Sequence, residues 1–182
     1  MTPDRMARDL ALLDALDSLP REEFEGTAWR IVREGRDPLQ GSPSGARWDP
    51  GTFDVLYAAL ERDGALSEIH FHLSRQPVFP SNTRFFLVEM LVRVRHVLRL
   101  PDMAALEKFG IDRVRFPELQ YARSQEIGDG AQFLGFSGLI VPSARWGGLN
   151  LVLFTDQLSP DALSMQSKEV IDWSVWRPSR VT

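Results

Sequence analysis

Between Phe85 and Leu100 the chain runs FFLVEMLVRVRHVLRL, with no glycine or proline to interrupt it. Met90, Val92, Val94 and Leu98 alternate with Leu91, Arg93, Arg95 and Arg99. A period of two places apolar and charged side chains on opposite faces of extended chain. The run therefore predicts one long strand or a bent pair of strands, and a sheet large enough to bury its apolar face.

Other segments supply partners for that sheet. Thr27–Val32 (TAWRIV) and Phe53–Ala59 (FDVLYAA) have strand composition. Leu139–Val141 and Leu149–Phe154 are apolar runs of buried-strand length, joined through a turn at Gly147–Gly148. The tail Glu169–Pro178 (EVIDWSVWRP) reads as a last strand.

Helices are interspersed with these strands. Residues 3–17 carry an apolar stripe at Met6, Leu10, Leu13 and Leu16, and Pro20 ends it. Asp63–Leu73 reads as a helix with Asp63 as N-cap and Leu66, Ile69 and Leu73 on one face, while Glu68 and His72 share another stripe. Asp102 caps a short helix that Gly110 stops, and Ser124–Leu134 forms one more, weakened by Gly128 and Gly130. Glu34–Gly51 is rich in Gly, Pro, Ser and Asp and is expected to be a long loop, a length usually tied to function. The order lacks regular βαβ alternation, so the expected fold is α+β, a single domain with a mixed or antiparallel sheet. Residues 1–25 are read as a helical extension and 26–182 as the domain proper.

Charge and composition narrow the chemistry. The 182 residues carry a net charge of −4, and the pI is about 5.4. That argues against nucleic acid as a direct partner, since phosphate backbones demand a basic surface. A local basic pocket for a phosphorylated small molecule remains compatible with it. There is no cysteine, which removes disulfides, thiolate nucleophiles and thiolate metal sites. Arg8, Asp9, Asp14 and Asp17 break any signal-peptide core, and no run is long enough to span a membrane, so a cytoplasmic protein is expected.

Several motif classes fall away. The stretches GDGAQFLG and GSPSG match neither a dinucleotide fingerprint nor a P-loop. His70 and His72 lack the i, i+4 spacing of a helical zinc pair, so no metal is expected. GFSGL lacks the glycine spacing of a nucleophile elbow.

What remains are polar residues set against buried strands: Arg30 in WRIV, Arg47 in GARW, Tyr57 in VLYAA, Glu68 on the following helix, Ser143 after LIVP, and Asn150 opening NLVLF. Singly, each has an ordinary reading as a solvent-facing charge, a core tyrosine or a turn former. Together they resemble the RES family. The resemblance rests on GARW, on VLYAA with Glu68 eleven residues after Tyr57, and above all on GFSGLIVPSARWGGLNLVLF at 135–154. It covers roughly Trp29 to Phe154.

The resemblance implies an ADP-ribosyltransferase-like fold. It implies a toxin that degrades NAD at the nicotinamide–ribose bond, by phosphorolysis or hydrolysis, and that is neutralised by a Xre-type antitoxin. NAD would be the substrate, inorganic phosphate a co-substrate, and no metal would take part. Glu68, Arg47 and Tyr57 would be catalytic, and Arg30, Arg47, Tyr57, Ser143 and Asn150 would bind NAD. The arginine of the family name maps to Arg30 or to Arg47. Arg145 and Trp146 are read as loop-shaping. Rival expectations are a mono-ADP-ribosyltransferase acting on a protein, and an inactive nucleotide- or partner-binding module.

The chemistry agrees with these residue types. Guanidinium forks suit a pyrophosphate. A carboxylate beside the ribose stabilises an oxocarbenium-like centre and orients the attacking group.

Overall fold

The computed structural model describes residues 7–177. Six strands occupy Glu22–Arg33 (β1), Val55–Ala59 (β2), Phe85–Arg99 (β3), Gly138–Pro142 (β4), Leu149–Phe154 (β5) and Leu163–Val170 (β6). Four helices occupy Leu10–Asp17 (α1), Arg62–Ser74 (α2), Met103–Glu107 (α3) and Ala122–Phe133 (α4).

The long alternating run is one strand, and its length lets it serve three neighbours. One edge of β3 pairs with β1, from Glu22↔Val97 to Arg33↔Phe85. The other edge pairs first with β6, over Phe86–Val92, and then with β4, over Val97–Arg99. β1 also meets β2 at Trp29↔Ala59, β2 pairs with β5, and β5 with β4. The path β1–β2–β5–β4–β3 thus returns to β1. The sheet is mixed, as expected, with β3–β4 its parallel pair. Its closure into a barrel carries no local sequence signature.

Strand alternation then sorts the core. Ala28, Met90, Val92, Leu56, Ile140 and Leu151 belong to one buried cluster, the barrel interior. Residues of opposite parity, such as Leu139, Val141, Val152 and Phe154, face outward and pack with Leu16 of α1, Leu106 of α3 and Ile127 of α4. A third cluster joins α2 through Ala65 and Leu66 to Ala59 and Leu87, with Trp29, Ile31, Trp173 and Trp176 around it.

Local expectations need amendment. Of the stripe expected in residues 3–17, Met6 lies outside the described residues. Leu10 is 74% exposed, and the buried pair is Leu12 and Leu16, one turn apart, which join the core cluster; Asp9 caps the start of α1. β1 begins at Glu22, since β3 offers a matching edge as far as Val97. Asp63 does not cap α2: Glu61 holds that place without a side-chain cap bond, and Asp63 lies in the first turn. The last strand, β6, ends at Val170. The tail beyond it turns at Asp172, whose carboxylate accepts from Ser174, and its tryptophans pack against each other and against His70. Pro178 lies outside the described residues. Gly128 is no defect in α4: a Cβ there would collide with the Trp48 carbonyl, so glycine lets the helix lie directly on the 42–51 loop.

Candidate functional site

The barrel's register lines up one row of outward-facing residues: Trp29, Ala59, Asn150 and Val141, each opposite the next. α2 lies over this row, with Gly64 close enough that a Cβ there would sit 3.2 Å from the Ala59 Cβ. One turn further along, Glu68 points down onto Asn150. The Asn150 Nδ2 donates to Glu68 Oε1 at 2.8 Å. Ser143, two residues beyond Val141, donates its hydroxyl proton to the same oxygen at 2.5 Å. Its Oγ in turn accepts the backbone N–H groups of Arg145 and Trp146, each at 3.0 Å. Because that hydroxyl already accepts twice, its single proton is directed at Glu68.

These groups border a cavity of about 380 Å³, within the usual range for small-molecule sites. Trp29, Ile31 and Ala65 make its apolar side. Arg30, Arg47, Tyr57, Glu68 and Asn150 all line it, so five of the six residues expected from sequence converge there. Ser143 stands behind Glu68 and fixes its carboxylate.

Each arginine is held differently. Arg30 fills a gap in the sheet. β1 and β2 share one Cα pair, and beyond it Arg30 Nη1 donates to the carbonyls of Pro38 (2.8 Å) and Gln40 (3.1 Å). Burial lowers its pKa to about 10; Arg36 pushes the same way and Asp37 opposes. Arg47 donates to the carbonyls of Phe116 (2.6 Å) and Glu118 (3.3 Å) and lies over the rings of Phe116 and Tyr121.

Tyr57 departs from expectation. Its hydroxyl donates to Asp49 Oδ1 at 2.6 Å and accepts from the Trp48 N–H at 3.0 Å. Burial, and then the Asp49 carboxylate, hold its pKa far above the usual phenol value. The ring lines the pocket while its polar end is occupied, so the hydroxyl that a catalytic Tyr57 would use is already bonded within the protein.

Asp49 was not singled out from sequence, where WDPG reads as plain turn chemistry. It is fully buried and accepts from the N–H groups of Ser44, Gly45, Ala46 and Gly51 and from the hydroxyls of Ser44 and Tyr57. Burial alone would raise its pKa; those donors outweigh it and keep the carboxylate below its ordinary value. Gln125 of α4 clamps the same loop through the carbonyls of Gly45 and Ala46.

Two further residues enter the wall. His72, one turn after Glu68, lines the pocket with its outer edge exposed. Partial burial lowers its pKa, Glu68 opposes, and Arg145 and Arg47 reinforce the fall. Its stripe with Glu68 was the available signal. Arg145, read from sequence as loop-shaping, also faces the pocket, with its guanidinium 3.5 Å from the centre of the Phe71 ring. Among the described residues no group of three or more His, Asp or Glu side chains is placed to hold a metal. No described helix is long and apolar enough to cross a membrane.

Fold and site together define a small α+β barrel protein with one anchored carboxylate in an arginine-rich, aromatic-walled pocket, suited to an anionic ligand that carries rings. The RES domain profile matches residues 27–177, and the chain belongs to that family. It is 24% identical to the NAD(+) phosphorylase MbcT of Mycobacterium tuberculosis, across 97% of this chain and 98% of that protein. It is 27% identical to a probable NAD(+) phosphorylase of the same species, across 76% of this chain and 68% of that one. The crystal structure of the M. tuberculosis MbcT–MbcA toxin–antitoxin complex contains a chain of the same fold, with TM-score 0.82 and 24% identity, covering 91% of this chain and 94% of that one.

Proposed function

We propose that the protein degrades NAD by breaking the bond between nicotinamide and ribose, with inorganic phosphate as acceptor. The observation that carries this reading is Glu68: a carboxylate held by Ser143 and Asn150 at the floor of a cavity whose walls bear Arg30, Arg47 and Arg145. Family membership, and relatives named as NAD(+) phosphorylases, support it.

The geometry translates into steps. Arg47, fixed by two carbonyls and two rings, offers its remaining guanidinium edge to the pyrophosphate. The Trp29 and Tyr57 rings give flat apolar surface for the nicotinamide or the ribose. As the glycosidic bond lengthens, positive charge develops on the ribose, and Glu68 stabilises it. With Oε1 anchored twice, the other carboxylate oxygen is the one available to the reacting centre. Nicotinamide departs with the bonding electron pair and becomes neutral, so no acid is needed to expel it.

On this reading the protein is a cytoplasmic toxin held in check by an antitoxin of the Xre type, consistent with the toxin–antitoxin complex of the structural relative. Incubating pure protein with NAD, with and without phosphate, tests the activity. Nicotinamide release that rises with phosphate and yields ADP-ribose-1″-phosphate is the expected result. Release indifferent to phosphate indicates a hydrolase or transferase, and no release from folded protein overturns the reading.

A further inference from the structure

Three guanidinium groups line the cavity, and two are already engaged. Arg30 gives Nη1 to two loop carbonyls, and Arg47 gives both Nη1 and Nη2 to carbonyls. Arg145 differs. Its Nη2 is buried, and among the described residues nothing accepts a hydrogen bond from it. Among the described residues the whole guanidinium makes no hydrogen bond or ion pair, and Arg145 lines the cavity, so its donors are open to an anion. Its position is not accidental. The Arg145 N–H is bonded to Ser143 Oγ, which is bonded to Glu68, so the cation and the carboxylate are set by one chain of hydrogen bonds. The guanidinium lies over the ring of Phe71 of α2, 3.5 Å from its centre. Burial, the largest influence, lowers the Arg145 pKa and Arg75 adds to that; Glu68 and Tyr121 oppose them.

We propose that Arg145 binds the acceptor phosphate and thereby decides that phosphate, rather than water, attacks the ribose. The inference rests on the NAD-cleaving reading above. A phosphate dianion approaching the Glu68 carboxylate is repelled, the more so in a pocket partly shielded from water. Water meets no such barrier. A cation beside the carboxylate removes the penalty, and Arg145 is the pocket arginine whose guanidinium donates to no acceptor among the described residues. In the step itself, a phosphate oxygen forms a bond to C1″ of the nicotinamide ribose. The C1″–N bond breaks, and its electron pair leaves with nicotinamide. The products are nicotinamide and ADP-ribose-1″-phosphate, and any proton left on the new ester is released to water. Asn150 lines the same cavity, and its buried Oδ1 receives no hydrogen bond among the described residues.

The test measures nicotinamide release and product identity at varied phosphate for the native chain, Arg145→Gln and Arg145→Lys. The glutamine variant is expected to raise the KM for phosphate at least about tenfold, the effect of losing one charge-assisted contact. Its KM for NAD should change by less than about threefold, and its product should shift from ADP-ribose-1″-phosphate to ADP-ribose. Lysine keeps the charge but loses the planar fork, so it should fall between the two; it also serves if the glutamine variant does not fold. An unchanged KM for phosphate overturns the proposal while leaving NAD cleavage intact. If the native protein cleaves no NAD, calorimetric titration with inorganic phosphate alone decides. Binding that disappears in Arg145→Gln supports the anion site, and equal or absent binding in both proteins overturns it.

Discussion

Asn150 and Glu68 stand 82 positions apart, yet the Asn150 Nδ2 lies 2.8 Å from Glu68 Oε1. That bond joins the start of β5 to the middle of α2, and it forms where the barrel's outward row passes beneath the helix. The carboxylate is therefore oriented by the sheet register, not by its own helix alone.

Replacing Glu68 with Gln keeps an acceptor oxygen for Ser143 and Asn150 but removes the charge. NAD binding measured by calorimetry should hold within about threefold. Nicotinamide release should drop by roughly 10²–10³-fold, as for other positioned carboxylates. Equal turnover in the variant would remove Glu68 from the chemistry.

Arg47→Ala deletes a guanidinium that both faces the pocket and ties the loop to Phe116 and Glu118. The dissociation constant for NAD should rise about tenfold, or about 1.4 kcal/mol. If titration shows no change, the pyrophosphate contact passes to Arg30, and the role of Arg47 is confined to holding Tyr121 and Phe116.

The Tyr57 hydroxyl is spent on Asp49 and Trp48, so Tyr57→Phe should cost stability rather than catalysis. About 2 kcal/mol is expected from the lost bond to a charged acceptor and the orphaned Trp48 N–H. For a chain of this size that is a fall of about 4–8 °C in Tm, with kcat within about threefold of native. A hundredfold loss of kcat with unchanged Tm would return the hydroxyl to the reaction.

Asp49 governs acid sensitivity. Its folded pKa lies below its unfolded value, so the unfolded state binds the extra proton. The stability that Asp49 lends is complete above about pH 4. It is lost as the pH falls through the depressed native value. Asp49→Asn sets an amide NH₂ against backbone N–H donors and should destabilise by about 2–4 kcal/mol at neutral pH. It should also flatten this part of the acid limb. Urea midpoints between pH 2 and 7 for both proteins check this, and parallel curves would contradict it.

Gly128→Ala drives a methyl group into the Trp48 carbonyl. Overpacking of this kind costs about 1–3 kcal/mol. Because α4 also clamps Gly45 and Ala46 through Gln125, the shift should loosen the pocket wall and raise the KM for NAD. A thermal melt and a KM both matching native would show that the loop moves aside freely.

Much of this architecture was legible in the sequence, because strand periodicity is local. The alternation from Met90 to Arg99 gave β3 its extent and faces, and the motif from Gly135 to Phe154 gave β4, β5 and two of the polar groups. What escaped depends on contacts distant in sequence. Ring closure requires β3 to pair with β1 and β4 on different edges. The Asp49 network is built from backbone N–H groups that every sequence possesses. The part played by Arg145 follows from Phe71 and Ser143 approaching it in space. The bonds of the Tyr57 hydroxyl escape for the same reason, since its partner Asp49 has the look of turn composition in WDPG.

The seam between β1 and β2 carries one further consequence. A single Cα pair joins those strands at Trp29↔Ala59. The remaining opening is stitched by the bridge Ser42↔Val55 and by the Arg30 side chain reaching Pro38 and Gln40. The 34–51 segment thus substitutes for missing rungs of the ladder, so its length is constrained in a way that surface loops usually escape. Shortening it would unzip the wall of the barrel and the wall of the pocket together. Ser42 both bridges to β2 and lines the cavity, so one short stretch of chain serves the closure of the barrel and the shape of the hollow beside it.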